Sequence, residues 1–153
     1  MSSTFTLLLA LLLSGVTAFA ASKPHIVVYL SDDHSQYDSS LYGAADIPTP
    51  NFERLAADGM VFTHAFVASP SCAPSRAAML TGLMPARNGA EANHTQPLKG
   101  TRSLIEDLKK EGYEVVAFGK VAHGKDAKRY GFDRVEAGSG YGNLKGSITK
   151  FLV

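Results

Sequence analysis

Apolar residues along this chain are gathered into short runs that alternate with amphipathic stretches. Residues 25–30 are almost continuously apolar and end at Ser31, which is typical of a parallel strand buried on both faces. Residues 60–67 alternate loosely between apolar and polar positions, and residues 113–118 form a further apolar run. The pattern predicts a strand at each of these three places.

Helical signals lie between the predicted strands. A short helix is predicted over residues 52–58, with Thr49 or Asn51 as its cap and a glycine directly after it. A second helix is predicted over residues 103–111, because the Ser-x-x-Glu pattern of a capping box opens it. Strands that alternate with helices indicate an α/β protein with a parallel sheet and crossover connections.

Two stretches carry no periodic pattern. Residues 85–100 are polar and rich in Gly and Pro, and they predict a loop. This loop contains the sequon Asn93-His94-Thr95, which matters only in a eukaryotic host. Residues 138–142 are also loop-like. Because about three strands are few for a domain of this class, we expect the sheet to be incomplete.

Composition and charge indicate an ordinary globular protein and give no sign of a nucleic-acid-binding one. The 153 residues are 45% hydrophobic and 19% charged, with a formal net charge of +1, which is ordinary for a globular protein. No block of like charges occurs, so the chain offers no basic surface that would indicate a nucleic-acid partner.

The N-terminus has the pattern of a secretory signal peptide. Residues 1–20 contain an apolar centre over residues 7–13 and an A-x-A cleavage pattern at residues 18–20. The apolar centre is too short for a membrane span, so no stable membrane insertion is expected. No Lys or Arg precedes it, which leaves an N-terminal anchor as the alternative. The sequence predicts a secreted or periplasmic protein, or a lysosomal one in a eukaryote.

The single cysteine lies at the start of a predicted helix. Cys72 is followed by Pro74, which suits a first helical turn, and the helix is expected to continue from Arg76 and end near Gly82. The helix dipole favours negative charge at this position, which predicts a reactive thiol rather than an inert one. A lone cysteine in an exported protein cannot form an internal disulfide, so it needs another role.

The sequence Cys-Ala-Pro-Ser-Arg over residues 72–76, followed by Ala-Ala-Met-Leu-Thr-Gly, resembles the signature of the type I sulfatases. The continuation through residues 82–89 resembles N-sulfoglucosamine sulfohydrolase-like members in particular. The resemblance covers residues 25–133. It implies that residues 21–153 are the N-terminal fragment of a catalytic domain with an alkaline-phosphatase-like parallel sheet and helices on both faces. It also implies that a formylglycine-generating enzyme oxidises Cys72 to an aldehyde, formylglycine.

Two neighbouring carboxylates, Asp32 and Asp33, follow the first predicted strand. Ligands of open parallel sheets lie beyond the carboxyl ends of the strands, and adjacent carboxylates suit a hard cation. A helix cap or a turn is the alternative for such a pair. The resemblance implies one Ca²⁺ ion held by Asp32, Asp33 and the modified Cys72. In the family, further oxygen ligands come from a downstream Asp-Asn or Asp-His motif that this chain lacks.

Three basic residues complete the predicted site. Arg76 lies one helical turn after Cys72, so both can face one site. The sequence Gly-Lys-Val-Ala-His over residues 119–123 resembles the Gly-Lys-x-His segment of sulfatases, with one extra residue. The resemblance implies that Arg76 holds the formylglycine, that Lys120 contacts it and the sulfate, and that His123 deprotonates its second hydroxyl. Three further histidines match no motif: His34, His64 and His94.

These observations predict a sulfuric ester hydrolase that cleaves sulfate esters or sulfamates, with sulfated glycans as the favoured substrates. Two other hypotheses remain open at this point. Phosphonate monoester and phosphodiester hydrolases can share the Cys-x-Pro-Ser-Arg signature. A chain of this length without the downstream ligands can also be an inactive product that binds calcium weakly.

Overall fold

The computed structural model describes residues 22–136 and 141–152. The predicted signal peptide, residues 1–20, lies outside the described residues, as does most of the loop predicted at residues 138–142. Across the described ranges, no helix combines the length and the apolar character that a membrane span needs.

The described residues form helices joined by loops, with one small sheet. In chain order the α-helices are α1 (Pro50–Ala57), α2 (Cys72–Thr81), α3 (Pro85–Asn88), α4 (Leu104–Lys110) and α5 (Tyr141–Leu152). Short 3₁₀ helices cover Gln36–Asp38, Ser40–Tyr42 and Gly124–Tyr130. The strands β1 (Val116–Phe118) and β2 (Arg134–Glu136) pair in parallel, with Val116 opposite Arg134.

The parallel pairing of β1 and β2 confirms the predicted class of an incomplete α/β domain. β1 lies within the apolar run predicted as a strand at residues 113–118. The strand β2 was not predicted, because its three residues, Arg-Val-Glu, include a single apolar side chain and give no periodic signal.

The predicted strands at residues 25–30 and 60–67 are wrong for the described structure. Both segments lie outside any helix or strand, and their apolar side chains are exposed, with Val27 at 78% and Phe66 at 89% of full exposure. A strand needs a neighbour that accepts and donates its backbone hydrogen bonds. Within the described part of the chain, the sheet has two strands only and provides no such neighbour for these segments.

The predicted helices form close to their expected bounds. Thr49 is the N-cap residue of α1. The Ser103 hydroxyl accepts from the Glu106 N–H at 3.1 Å, and Glu106 accepts from the Ser103 N–H at 3.1 Å, so the capping box of α4 is confirmed. The predicted loop over residues 85–100 is wrong at its start, where Pro85 occupies the first turn of α3.

In a small apolar core, α2 and α4 pack against the segment that follows β1. Its buried members are Leu80, Ile105, Ala122, Ala127 and Tyr130. The Ser103 hydroxyl donates to the Tyr130 carbonyl at 2.6 Å and ties the start of α4 to the same core. The core therefore holds the end of the β1 loop, residues 119–123, against the helix that begins with the cysteine.

Asp133 is expected to make the stability of the fold depend on pH. Its Oδ1 pairs with Lys109 Nζ at 2.7 Å, and its Oδ2 accepts from the Val115 N–H at 2.9 Å. These two interactions, the lysine first, hold the pKa of Asp133 below its ordinary value. A lowered pKa in the folded state stabilises the fold at pH above the unfolded-state value, and this contribution disappears as pH falls through the folded-state value.

The denaturant midpoint of the chain is therefore expected to drop between about pH 6 and about pH 3, and the Asp133→Asn variant should drop less. Urea unfolding followed by circular dichroism at both pH values measures this difference. An equal drop in the two proteins would contradict the assignment.

Candidate active site

Cys72 begins helix α2, as the sequence predicts. Ser71 is the N-cap residue, Pro74 lies in the first turn, and Gly82 ends the helix in the left-handed conformation with φ of +67°. The Cys72 side chain is half-buried and makes no disulfide. Its place at the start of α2 puts the thiol where the unpaired backbone N–H groups of the helix favour negative charge.

Arg76 connects three segments of the chain. It is buried, at 5% exposure. Its Nη2 donates to Asp32 Oδ1 at 3.0 Å, and its Nη1 donates to the Lys120 carbonyl and, at 3.4 Å, to the Val121 carbonyl. The planar guanidinium can serve these acceptors at once, which a lysine cannot do. Arg76 therefore joins the loop after residues 25–30, helix α2 and the loop after β1.

The carboxylate of Asp32 lies between two cations. Lys120 Nζ is 2.6 Å from Asp32 Oδ2, and Arg76 holds the other oxygen. The hydrogen bond from Lys120 is the main cause that lowers the pKa of Asp32, and Arg76 adds to it. The same bond raises the pKa of Lys120. Both groups therefore stay charged at neutral pH, and the lysine is held at the site by its ion pair.

Asp33 is exposed and adopts a φ of +50°, which is unusual for a residue with a side chain. It makes no hydrogen bond or ion pair with another residue of the described ranges. Its carboxylate adjoins that of Asp32 in sequence and remains available to a ligand.

The Cys72 thiol faces two possible acceptors. Sγ lies 3.3 Å from Asn93 Oδ1 and 3.7 Å from His123 Nδ1. Asn93 belongs to the loop between α3 and α4, and His123 belongs to the loop after β1. Residue 72 is therefore flanked by an amide oxygen on one side and an imidazole nitrogen on the other.

His94 contacts the other side of the His123 ring. His94 Nδ1 is 2.6 Å from His123 Nε2, and the two rings meet edge to face with their centroids 4.3 Å apart. His94 matches no motif in the sequence, and no role was predicted for it. The sequon over residues 93–95 marked this segment for a different reason, and no spacing rule relates position 94 to position 123.

The structure brings together the predicted residues Cys72, Arg76, Asp32, Lys120 and His123, and it adds Asn93 and His94 to them. The other unassigned histidines lie elsewhere: His34 packs edge-on against Phe52, and His64 hydrogen-bonds to Thr63. The chemical roles of the clustered residues stay predictions. Cys72, Asn93, His94 and His123 form one set of side-chain contacts. Asp32, Arg76 and Lys120 form a second set, and helix α2 and the loop after β1 each carry members of both sets.

The donor chemistry of the site fits a hard divalent cation in type but not in number. Asp32 and Asp33 supply carboxylate oxygens, which calcium prefers. A calcium ion takes six to eight oxygen ligands in total. Among the residues that the structure describes, no group of three or more His, Cys, Asp or Glu side chains could hold a metal ion. Both oxygens of Asp32 are already paired with cations. These residues can supply only part of a coordination sphere.

A comparison with family models matches residues 24–148 to the family described as Sulfatase. Among curated proteins, the chain is 45% identical over 114 residues to the "Ulvan-active sulfatase" of Formosa agariphila, covering 74% of this chain and 23% of that protein. It is 41% identical over 118 residues to the "N-acetylgalactosamine-6-sulfatase" of Rattus norvegicus, covering 69% of this chain and 22% of the relative. The chain thus spans less than a quarter of the length of these relatives.

Among solved structures, the "Crystal structure of Ps i-CgsB" matches with a TM-score of 0.59 and 26% identity, covering 80% of this chain and 31% of that one. The same protein in complex with k-i-k-neocarrahexaose matches with a TM-score of 0.58 and 25% identity, covering 80% of this chain and 32% of that one. The described helices and small parallel sheet therefore correspond to part of a larger domain in these structures.

Proposed function

The chain belongs to the sulfatase family, and on that premise we propose that residues 21–153 form the N-terminal part of an enzyme that hydrolyses sulfate esters or sulfamates through a formylglycine at position 72. One observation carries the proposal. The Cys72 sulfur at the start of α2 faces His123 Nδ1 at 3.7 Å, next to the Arg76, Asp32 and Lys120 network.

The proposed reaction uses both hydroxyls of a hydrated aldehyde at position 72. One hydroxyl would attack sulfur and lose its proton as the O–S bond forms, and the substrate oxygen or nitrogen would leave with the electrons of its bond to sulfur and take up a proton. His123 would then take the proton of the second hydroxyl, the C=O bond would re-form, and sulfate would leave with the electrons of the broken C–O bond. Addition of water to the aldehyde would restore the two hydroxyls. Covalent catalysis divides the hydrolysis into two easier steps. A plain hydroxyl nucleophile would stop at a stable sulfate ester.

Arg76 and Lys120 supply the positive charge of the proposed site. Lys120 is partly exposed, so its ammonium can reach a bound sulfate while Asp32 orients it. Arg76 is buried and fixes the backbone carbonyls of the loop that carries Lys120 and His123. Fixed cations near a developing negative charge lower the barrier without reorganisation.

A divalent cation, calcium in our proposal, would be held by Asp32, Asp33 and the modified residue 72, with further ligands from outside the described residues. When bound, it would polarise a sulfate oxygen and lower the pKa of the attacking hydroxyl. Hard oxygen donors at two adjacent positions support this choice of metal.

Sulfated glycans are the proposed substrates. Three observations support this class of substrate. Two relatives are named "Ulvan-active sulfatase" and "N-acetylgalactosamine-6-sulfatase", and a structural neighbour was solved with a carrageenan-type oligosaccharide. A 38% identical relative is named "Steryl-sulfatase", so the assay panel should include a sulfated steroid.

We also propose that residues 1–20 direct the protein to secretion or the periplasm, and that a formylglycine-generating enzyme modifies Cys72 during maturation.

Mass spectrometry of the peptide that contains Cys72 tests the first step. After co-expression with a formylglycine-generating enzyme, we expect an aldehyde at position 72 that a hydrazide reagent captures. The Pro74→Ala variant, which breaks the signature, should keep the thiol. In the complete gene product that contains this chain, aryl sulfate should be hydrolysed faster than aryl phosphodiester. An unmodified thiol together with no sulfatase activity would overturn the proposal, and preferred phosphodiester hydrolysis would reassign the reaction.

A further inference from the structure

The segment Asn93–His94 contacts both proposed reacting groups, although no motif pointed to it as part of the site. Asn93 Oδ1 faces the Cys72 sulfur at 3.3 Å, and His94 Nδ1 faces His123 Nε2 at 2.6 Å. The backbone N–H of His94 also donates to Asn93 Oδ1 at 3.1 Å, which fixes the Asn93 amide against the backbone of the same segment. The segment thus lies across the start of α2 and the loop after β1.

The backbone of His94 is unusual. Its φ of +65° lies in the left-handed region, which is uncommon for residues other than glycine, although Asn, Asp and His adopt it more often than the rest. Such conformations cost free energy and are concentrated at functional sites. The exposed loop position of His94 provides no packing reason for this cost. The contact with His123 provides one.

We propose that His94 is a positioning residue that holds the His123 imidazole in the tautomer whose Nδ1 lone pair faces residue 72, and that Asn93 accepts a hydrogen bond from residue 72 beside it. This inference rests on the proposed function. Neither His94 nor Asn93 belongs to the signature that identified the site.

The contact between the two rings allows two arrangements of the protons, and the proposal specifies one of them. A hydrogen bond between two imidazole nitrogens needs one N–H and one lone pair. If His123 Nε2–H donates to His94 Nδ1, then His123 Nδ1 carries the lone pair that faces residue 72 and can accept its proton. When His123 takes that proton it becomes an imidazolium, and its Nε2–H remains bonded to His94. The proton is therefore not passed on to His94.

The number of acceptors around residue 72 agrees with this arrangement. One S–H can donate to either Asn93 Oδ1 or His123 Nδ1 but not to both. A hydrated aldehyde carries two hydroxyls, and each can donate to one of these acceptors. The pair of acceptors therefore matches the hydrated formylglycine better than it matches the unmodified thiol. His123 would face the hydroxyl that loses its proton, and Asn93 would orient the other.

Two substitutions at position 94 distinguish the effect of the His94 side chain from the effect of the backbone conformation at this position. Glycine and asparagine both tolerate a positive φ, so His94→Gly and His94→Asn should keep the loop conformation. Asparagine places an amide near the position of Nδ1 and can accept from His123, whereas glycine cannot. In the complete gene product, produced in bacteria so that the sequon stays unmodified, His94→Gly should lower kcat about 10–100-fold with KM changed less than about twofold. His94→Asn should restore most of kcat.

A double-mutant cycle tests whether His94 acts through His123. Adding His94→Gly to His123→Ala should cost nothing further, because the group that His94 positions is already absent. Wild-type kcat in His94→Gly would overturn the proposal, and so would an equal loss in the His123→Ala background. If the unmutated protein carries the aldehyde and still fails to hydrolyse aryl sulfate, the proposed function fails instead.

Nitrogen-15 NMR of the 153-residue chain gives a readout that needs no catalysis. At a pH chosen so that the ring is neutral, His123 should be the Nε2–H tautomer, and His94→Gly should produce a mixture of tautomers. An Nδ1–H tautomer of His123 in the unmutated chain would contradict the assignment even if the enzyme is active.

Discussion

Replacing Arg76 by leucine is expected to lower the free energy of unfolding by about 2–4 kcal/mol. Arg76 is 5% exposed and is the common hydrogen-bond donor to Asp32 and to the carbonyls of Lys120 and Val121. Its loss leaves the two carbonyls without this donor and leaves Asp32 with Lys120 as its remaining cation, next to a buried apolar side chain. The value lies below the upper limit for a buried ion pair because the Asp32 side chain is 33% exposed and water can reach it. Urea unfolding at neutral pH measures the change.

Two control substitutions make the Arg76 experiment specific. Arg76→Lys keeps the charge but loses the fork that serves several acceptors, so we expect an intermediate loss of stability. Arg87→Leu removes an exposed arginine of α3 and should change the free energy of unfolding by less than about 0.5 kcal/mol. Equal midpoints for Arg76→Leu and Arg87→Leu would mean that Arg76 does not connect the three segments.

Replacing Cys72 by alanine is expected to lower the hydrolysis of aryl sulfate by the complete gene product more than about 10³-fold, because the covalent step is lost. The side chain is only half-buried and alanine favours a helix, so the variant should keep the fold and the far-ultraviolet circular dichroism spectrum. Met79→Ala, a change at an exposed position of the same helix, should leave the rate unchanged. Retained activity in Cys72→Ala would eliminate the formylglycine mechanism.

Cys72→Ser distinguishes a nucleophile from a merely structural thiol. A serine hydroxyl that attacks sulfur has no second hydroxyl with which to expel sulfate, so turnover should stop after one event. Intact-mass measurement after incubation with aryl sulfate should then find a sulfate group on the variant. An unsulfated, inactive variant would leave the aldehyde as the only competent nucleophile, and multiple turnover would contradict the mechanism.

Local signals in the sequence predicted the helices that carry the site. The capping box of Ser103 and Glu106, the proline in the first turn of α2 and the left-handed Gly82 all act within a few residues, and the structure confirms each of them. The residues 72–76 of the signature are also neighbours along the chain, within about one helical turn. The family could therefore be identified from the sequence, and the family comparison agrees.

The sheet depended on information that local patterns do not contain. The apolar run at residues 25–30 has the composition of a buried strand, yet it is exposed because no described strand lies beside it. The strand β2 has little apolar character and forms because β1 offers it a partner in parallel register. Strand formation therefore followed pairing rather than composition.

The sequence by itself determined the family, the reactive position at Cys72 and the helix that presents it, because these depend on residues that are neighbours along the chain. Only the tertiary structure decided which side chains meet at that position. Asp32 and Lys120 are separated by 88 positions, Cys72 and His123 by 51, and His94 and His123 by 29. These contacts exist because a small core packs the loop after β1 against α2, and no spacing between residues in the chain specifies that packing.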